Sequence, residues 1–189
     1  MKLLKIIFGI ILLLTVLFLL AGVFTPNISY TSEVTVDKPL KEAWAVMQDE
    51  SKLSQWITGY IKSELIEGTA GQVGSVSNIY VADKAKEMVM KETVTKLEPE
   101  QAIGMLFQMD FMDMDYEMNL EPQGDKTIIK SSSTTTGNHI LAKSMIAVMK
   151  GGFKTQEDTN MNKLKKVIED NTTDYFPAPV EVVGDGVIE

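Results

Sequence analysis

The sequence predicts an α+β domain carried behind one membrane span. Three observations predict it. The N-terminus holds a long uncharged apolar run, the middle of the chain is a series of closely spaced strand-like segments, and the C-terminal third carries one long helical stripe. Segments that close leave no room for crossover helices, so the sheet is expected to be antiparallel and meandering.

From Ile6 to Phe24 no residue is charged, and only Gly9, Thr15, Ala21 and Gly22 interrupt large apolar side chains. As a helix the run is roughly 28 Å long, close to the thickness of a bilayer's hydrocarbon core. It has no polar face, which counts against a core helix of a soluble domain. Lys2 and Lys5 precede it, and the next charge is Glu33. That asymmetry predicts a cytoplasmic N-terminus, a single pass through the cell membrane and a domain outside the cytoplasm. The competing reading is a cleaved signal peptide. Its apolar region typically runs about 7–15 residues and ends at a small-x-small site. Here the run is longer, and Leu20-Ala21-Gly22-Val23 offers no such triplet. Residues 1–24 are therefore expected to be an uncleaved anchor, followed by a stem over 25–29.

Composition narrows the function classes. The chain has 26 acidic residues against 18 basic ones, and every basic residue is Lys. With Lys2 and Lys5 set aside, 16 of the 18 Lys face the 26 acids, a net charge of −10 for the exported part. Such a field repels nucleic acid. Without Arg there is no bidentate fork for phosphate or carboxylate. Without Cys there is no disulfide, no thiolate nucleophile and no thiolate-bound metal, and the single His139 excludes a multi-histidine site. No metal and no cofactor are expected, and the domain is expected to be a monomer.

Tyr30 to Asp37 is rich in β-branched residues and reads as a first strand. Pro39 suits a helix start, after which Leu40, Ala43, Trp44 and Met47 recur at helical spacing. A second short helix over 51–57 packs Leu53 and Trp56. Strands are then expected over 61–67, 74–82, 87–97, 102–110, 112–121 and 126–136. Breaks fall at Gly68-Thr-Ala-Gly71, Asp83-Lys84, Glu98-Pro99-Glu100 and Gln123-Gly124-Asp125. The clearest alternation sets Met112, Met114, Tyr116, Met118 and Leu120 against Asp113, Asp115, Glu117, Asn119 and Glu121, one buried face and one solvated acidic face.

From Asn138 to about Asn171 the spacing turns helical. Leu141, Met145, Val148/Met149, Gly152/Phe153, Met161, Leu164 and Val167/Ile168 form one stripe, expected to lie across the whole sheet. Gly151 and Gly152 interrupt it at about 1 kcal/mol each relative to Ala, which calls for an offsetting reason such as a kink or room beside the backbone. The domain is bounded at 30–171, and 172–189 reads as an irregular tail.

The order of these pieces resembles the START-like, polyketide cyclase/dehydrase superfamily (SRPBCC). The resemblance rests on Val34-Thr-Val-Asp-Lys-Pro39 followed by Ala43-Trp44 and Leu53-Ser-Gln-Trp56. It continues with the glycine-marked hairpin from Gly68 to Gly74, the Val94-Thr-Lys-Leu-Glu-Pro99 bend and the helix ending Asn162-Lys-Leu-Lys-Lys-Val-Ile-Glu169. It spans about residues 30–171. It implies a helix-grip fold, a curved sheet wrapped around the long helix with an apolar cavity that holds lipids, polyketides or other hydrophobic molecules. It carries over no catalytic residue, and the membrane anchor departs from the common soluble pattern.

Ten of the 12 Met lie between Met47 and Met149. Core filling accounts for most of them, but flexible thioethers also suit the wall of an adaptable apolar pocket. The candidate cavity residues are Trp56, Tyr80, Met88, Met90, Met105, Phe107, Tyr116, Met118, Met149, Gly152 and Phe153. Catalytic residues are unknown. His139 reads as a helix-capping surface residue, and the inward half of Ser131–Thr136 as a possible cavity mouth. The expected function is membrane-anchored binding of a hydrophobic small molecule or lipid. The alternatives are a cyclase- or dehydratase-like enzyme in the same pocket and an envelope protein-interaction module. Two buried, perturbed titratable groups facing one pocket favour the enzyme.

Overall fold

In the computed structural model, residues 1–83 and 86–177 are described. The chain opens with helix α1 (Lys2–Phe24), then strand β1 (Asn27–Val36), helix α2 (Leu40–Gln48), a 3-10 turn (Glu50–Lys52) and helix α3 (Leu53–Trp56). Strands β2 (Tyr60–Glu67), β3 (Val76–Asp83), β4 (Lys86–Glu98), β5 (Ala102–Gln108), β6 (Met112–Gln123) and β7 (Lys126–Gly137) follow, and helix α4 (Ile140–Glu169) closes the fold. Every expected element is present, the sheet is antiparallel, and its ends differ from the expected ones by a few residues.

The one larger shift is at the start. β1 begins at Asn27 and pairs Asn27 with Thr136 and Ile28 with Thr135. The connection from α1 is therefore only Thr25 and Pro26, shorter than the expected stem over 25–29. Ile28 explains the difference: it is 2% exposed, so the sheet gains a buried apolar residue by extending towards α1.

The seven strands lie in the order β1-β7-β6-β5-β4-β3-β2. α2 and α3 carry the chain from one edge of the sheet to the other, after which the strands meander back. Asp49 ends α2 and accepts from Ser51 N at 2.9 Å, which starts the turn into α3. α4 packs chiefly over β1 and β7 rather than across the whole sheet, with α2 and α3 against its C-terminal half.

Two apolar clusters hold α4 in place. The larger joins Val34, Val36, Val46, Met47, Trp56, Met118, Leu120 and Ile129 to Met161, Leu164 and Ile168. The smaller joins Ile28, Met112 and Ile146, with Tyr30, Met109, Phe111 and Phe153 against it. The tail is tied down at its start: Tyr175 packs on the larger cluster and donates to Asp49 Oδ2 at 2.6 Å. The remainder of the expected tail, residues 178–189, lies outside the described residues.

α1 does not stand apart from the domain. Its last turns pack on the N-terminal half of α4, and Gly22 is buried there. A Cβ on Gly22 would stand 2.6 Å from Ser144 N and 2.9 Å from Ile140 O, so only glycine admits this approach.

Candidate functional site

Directly paired residues in an antiparallel sheet point to the same face, so the register identifies the concave side. Buried Ile79 and Val81 pair with Met90 and Met88. Buried Val94 pairs with Met105, and Glu92 with Phe107. Met105 and Phe107 pair in turn with Tyr116 and Met114, Tyr116 with Ser133, and Ser133 with Tyr30. The face that binds α4 at β1 and β7 thus continues across β6, β5, β4 and β3. There Met88, Met90, Glu92, Met105, Phe107 and Met114 are half-buried rather than closed off. The result is an open groove with a thioether and aromatic lining.

Between the two apolar clusters runs a polar layer. Tyr116 donates to Glu157 Oε1 at 2.9 Å, and Glu157 is 9% exposed. Burial, reinforced by the Glu157 charge, pushes the Tyr116 hydroxyl well above the usual tyrosine range. Ser32 donates to Asp158 Oδ1 at 2.7 Å, where Lys154 also bonds. On β7 the buried hydroxyls of Ser131, Ser133 and Thr135 complete no hydrogen bond, although Ser131 lies close enough to Tyr116 to favour its ionised form slightly. Buried hydroxyls without partners are uncommon, because each loses its hydration without compensation.

Glu92 is the other unusual group. Its carboxyl is pushed up to about 7, first by burial and then by the charge of Glu50. Its cross-strand partners are Ser77 and Phe107, so it faces the groove.

The expected site residues divide. Met88, Met90, Met105, Phe107 and Tyr116 share the groove face, and Phe107 meets Tyr116 edge-on at 6.3 Å. Met118 is fully buried core, and Trp56 is buried in the same cluster with its Nε1 unpartnered. Phe153 stacks on Tyr30 at 6.3 Å. Tyr80 is a correction. It alternates with Ile79 and Val81, so it lies on the outer face, where its hydroxyl donates to Glu64 Oε2 at 2.8 Å. Met149 and Gly152 are a second correction. Both are exposed, and a Cβ on Gly151 or Gly152 meets nothing within 4 Å, so neither packs on the sheet. His139 does cap α4, its Nδ1 accepting from Ala142 N at 3.2 Å. Glu92 and Glu157 were not legible as site residues, because nothing in the spacing distinguishes an inward Glu from a solvated one.

Two other clefts are shallow. One of about 190 Å³ opens on the convex face over Gly104, between Lys96, Glu117 and Ser132. Lys96 bridges Glu98 and Glu117 there, which satisfies its charge. The second, about 280 Å³, lies between Lys52 and the C-terminal turns of α4. Among the described residues no three His, Asp or Glu side chains converge as metal ligands would.

The family model described as polyketide cyclase/dehydrase and lipid transport matches residues 27–169. The chain belongs to that family. The start of the match at Asn27 coincides with the start of β1. No curated protein sequence matches the chain. Solved structures share the fold at low identity. The Zhui aromatase/cyclase from Streptomyces sp. R1128 is 13% identical with a TM-score of 0.63, covering 76% of this chain and 94% of its own. Ara h 8.0201 is 14% identical with a TM-score of 0.61, covering 77% of this chain and 99% of its own. Norcoclaurine synthase from Thalictrum flavum, solved with dopamine and hydroxybenzaldehyde, is 16% identical with a TM-score of 0.59, covering 82% and 94%. α1 lies before the matched residues; over 23 residues it is apolar enough to cross a membrane, and only 6% of its apolar window is buried.

Proposed function

We propose that this protein is a membrane-anchored binder of a hydrophobic small molecule or lipid, held in the groove between α4 and β3–β6 outside the cytoplasm. One observation carries the reading: the concave face continues beyond α4 as a half-buried wall of Met88, Met90, Met105, Phe107 and Met114, bordered by the unpartnered Ser131, Ser133 and Thr135 hydroxyls. Such a wall suits an irregular apolar body, and the hydroxyls suit one polar end. The family's description and a fold neighbour solved with two small aromatic molecules support the same reading. The uncharged α1 with Lys2 and Lys5 before it supports the anchor and its orientation. The test is native mass spectrometry of the full chain released from detergent, together with titration by a fluorescent fatty acid. A co-purified apolar mass or saturable probe binding is expected. Absence of both overturns the reading.

A second reading is favoured by Glu92. A carboxyl near pKa 7 and a partly buried tyrosine with a raised pKa on one groove face form the kind of pair used for general acid–base chemistry. In a binder Glu92→Gln retains probe affinity at neutral pH. An enzyme loses turnover of a polyketide-like substrate while still binding it.

A further inference from the structure

We propose that the first three turns of α4 lie in the outer membrane–water interface, beside the end of α1, so that the groove end of the domain is held against lipid. The inference rests on the reading of α1 as a membrane span.

α1 meets α4 only through its last turns: Phe18, Leu19, Ala21 and Thr25 are partly covered and Gly22 is buried, whereas residues 1–17 are exposed. The contact is tight, backbone against backbone at Gly22, Ile140 and Ser144. A span that starts at Lys2 and ends at Phe24 has those last turns at the interface. The start of α4 is therefore fixed at the same depth.

At that depth α4 presents apolar side chains that the described residues leave largely uncovered. Leu141 is 57% exposed, Met145 45%, Val148 68% and Met149 51%. They recur at spacings of three and four, forming one stripe on α4 distinct from the sheet-facing Ala142 and Ile146. Left in water, such a stripe is an apolar patch of the kind that marks an interaction surface. Its occupant is lipid rather than protein because it is continuous with α1 and sits at the level of the bilayer surface. Charge agrees. The chain carries 26 carboxylates, yet none occurs from Lys126 to Gln156, while Lys143, Lys150 and Lys154 lie on the opposite side of α4 from the stripe. An apolar stripe on one side and Lys on the other are the pattern of a helix lying in the interface.

The absence of native Cys allows single spin labels on the full chain in phosphatidylcholine vesicles. Labels would be placed at Val148→Cys and Met145→Cys, with Leu12→Cys in α1 and Lys166→Cys on the far end of α4 as references. Relaxation by oxygen, which concentrates in lipid, is compared with relaxation by a water-soluble nickel chelate. The expected result is that labels at 148 and 145 respond to oxygen and are protected from nickel, as at 12, while 166 responds to nickel. If 12 reads as hydrocarbon and both 148 and 145 read as aqueous, the anchor stands and the inference falls. If 12 also reads as aqueous, the anchor and the inference fall together. Protection of 148 from both reagents places the stripe against protein and overturns the inference.

Discussion

Tyr116 and Glu157 show what one inward side chain on each of two elements decides. Glu157 is almost fully buried, and the Tyr116 hydroxyl is the partner that compensates it. Tyr116→Phe keeps the ring and its edge contact with Phe107 but strips a buried carboxylate of its donor. A loss of about 1–3 kcal/mol is expected, the cost of an unsatisfied buried polar group, read from urea unfolding of the full chain in detergent. Glu92 makes stability depend on pH. Its folded pKa of about 7 stands above the ordinary value of 4.5, so the folded state binds the proton more tightly than the unfolded state. Stability from this group is therefore greatest below pH 4.5 and is lost as pH rises towards 7. The whole swing is on the order of 3 kcal/mol. Glu92→Gln removes it: the variant is expected to match the wild type near pH 5 and to exceed its stability at pH 8. Equal pH dependence in the two proteins would mean that Glu92 is solvated.

Helix α4 is one helix with two environments. Its C-terminal half buries Met161, Leu164 and Ile168 in the larger cluster, and these were legible as a helical stripe. In the N-terminal half the sheet-facing set is displaced by one residue from the expected one, to Ala142 and Ile146 in place of Leu141 and Met145. The periodicity fits both sets. What selects between them is close packing: β7 ends at Gly137, where a Cβ would stand 2.5 Å from Lys143 N and 2.8 Å from the Ala142 carbonyl carbon, so the first turn of α4 rests on bare backbone. Small side chains belong at that contact, and the large ones turn away. β6 was legible in full because its strict alternation of Met, Tyr and Leu with acids has one solution. β3 was not, because Val76, Asn78 and Tyr80 are about as apolar as Ser77, Ile79 and Val81, and only pairing with β4 assigns the inward set. Two substitutions separate the tight and open parts of this element. Gly137→Ala is expected to cost about 1–3 kcal/mol by overpacking. Gly152→Leu, with open space around its Cβ, is expected to gain somewhat under 1 kcal/mol from helix propensity. Thermal or urea midpoints of the two variants check both.

At the scale of the molecule, α1 and the domain share their boundary. Thr25 and Pro26 alone separate α1 from β1, and Gly22 is locked against Ser144, so the domain cannot swing freely on α1. Where the fold starts was the boundary least legible in the sequence, since Asn27-Ile28-Ser29 reads equally as stem or strand until Thr134 to Thr136 are seen to pair with it. This sets a direct comparison between two anchor-free chains, one starting at Thr25 and one at Tyr30. Both keep the β6–β7 hairpin, α4 and the Tyr175–Asp49 hydrogen bond. The shorter one loses the end of an edge strand and the buried Ile28, which packs with Met112 and Ile146. Losing a buried Ile side chain alone costs about 2–5 kcal/mol, a large share of the ~5–15 kcal/mol that holds an ordinary domain together. The chain from Thr25 is therefore expected to unfold cooperatively in urea, and the chain from Tyr30 to show a clearly lower midpoint or no folded baseline. Equal midpoints would mean that residues 27–29 add nothing to the sheet and that the domain begins at Tyr30.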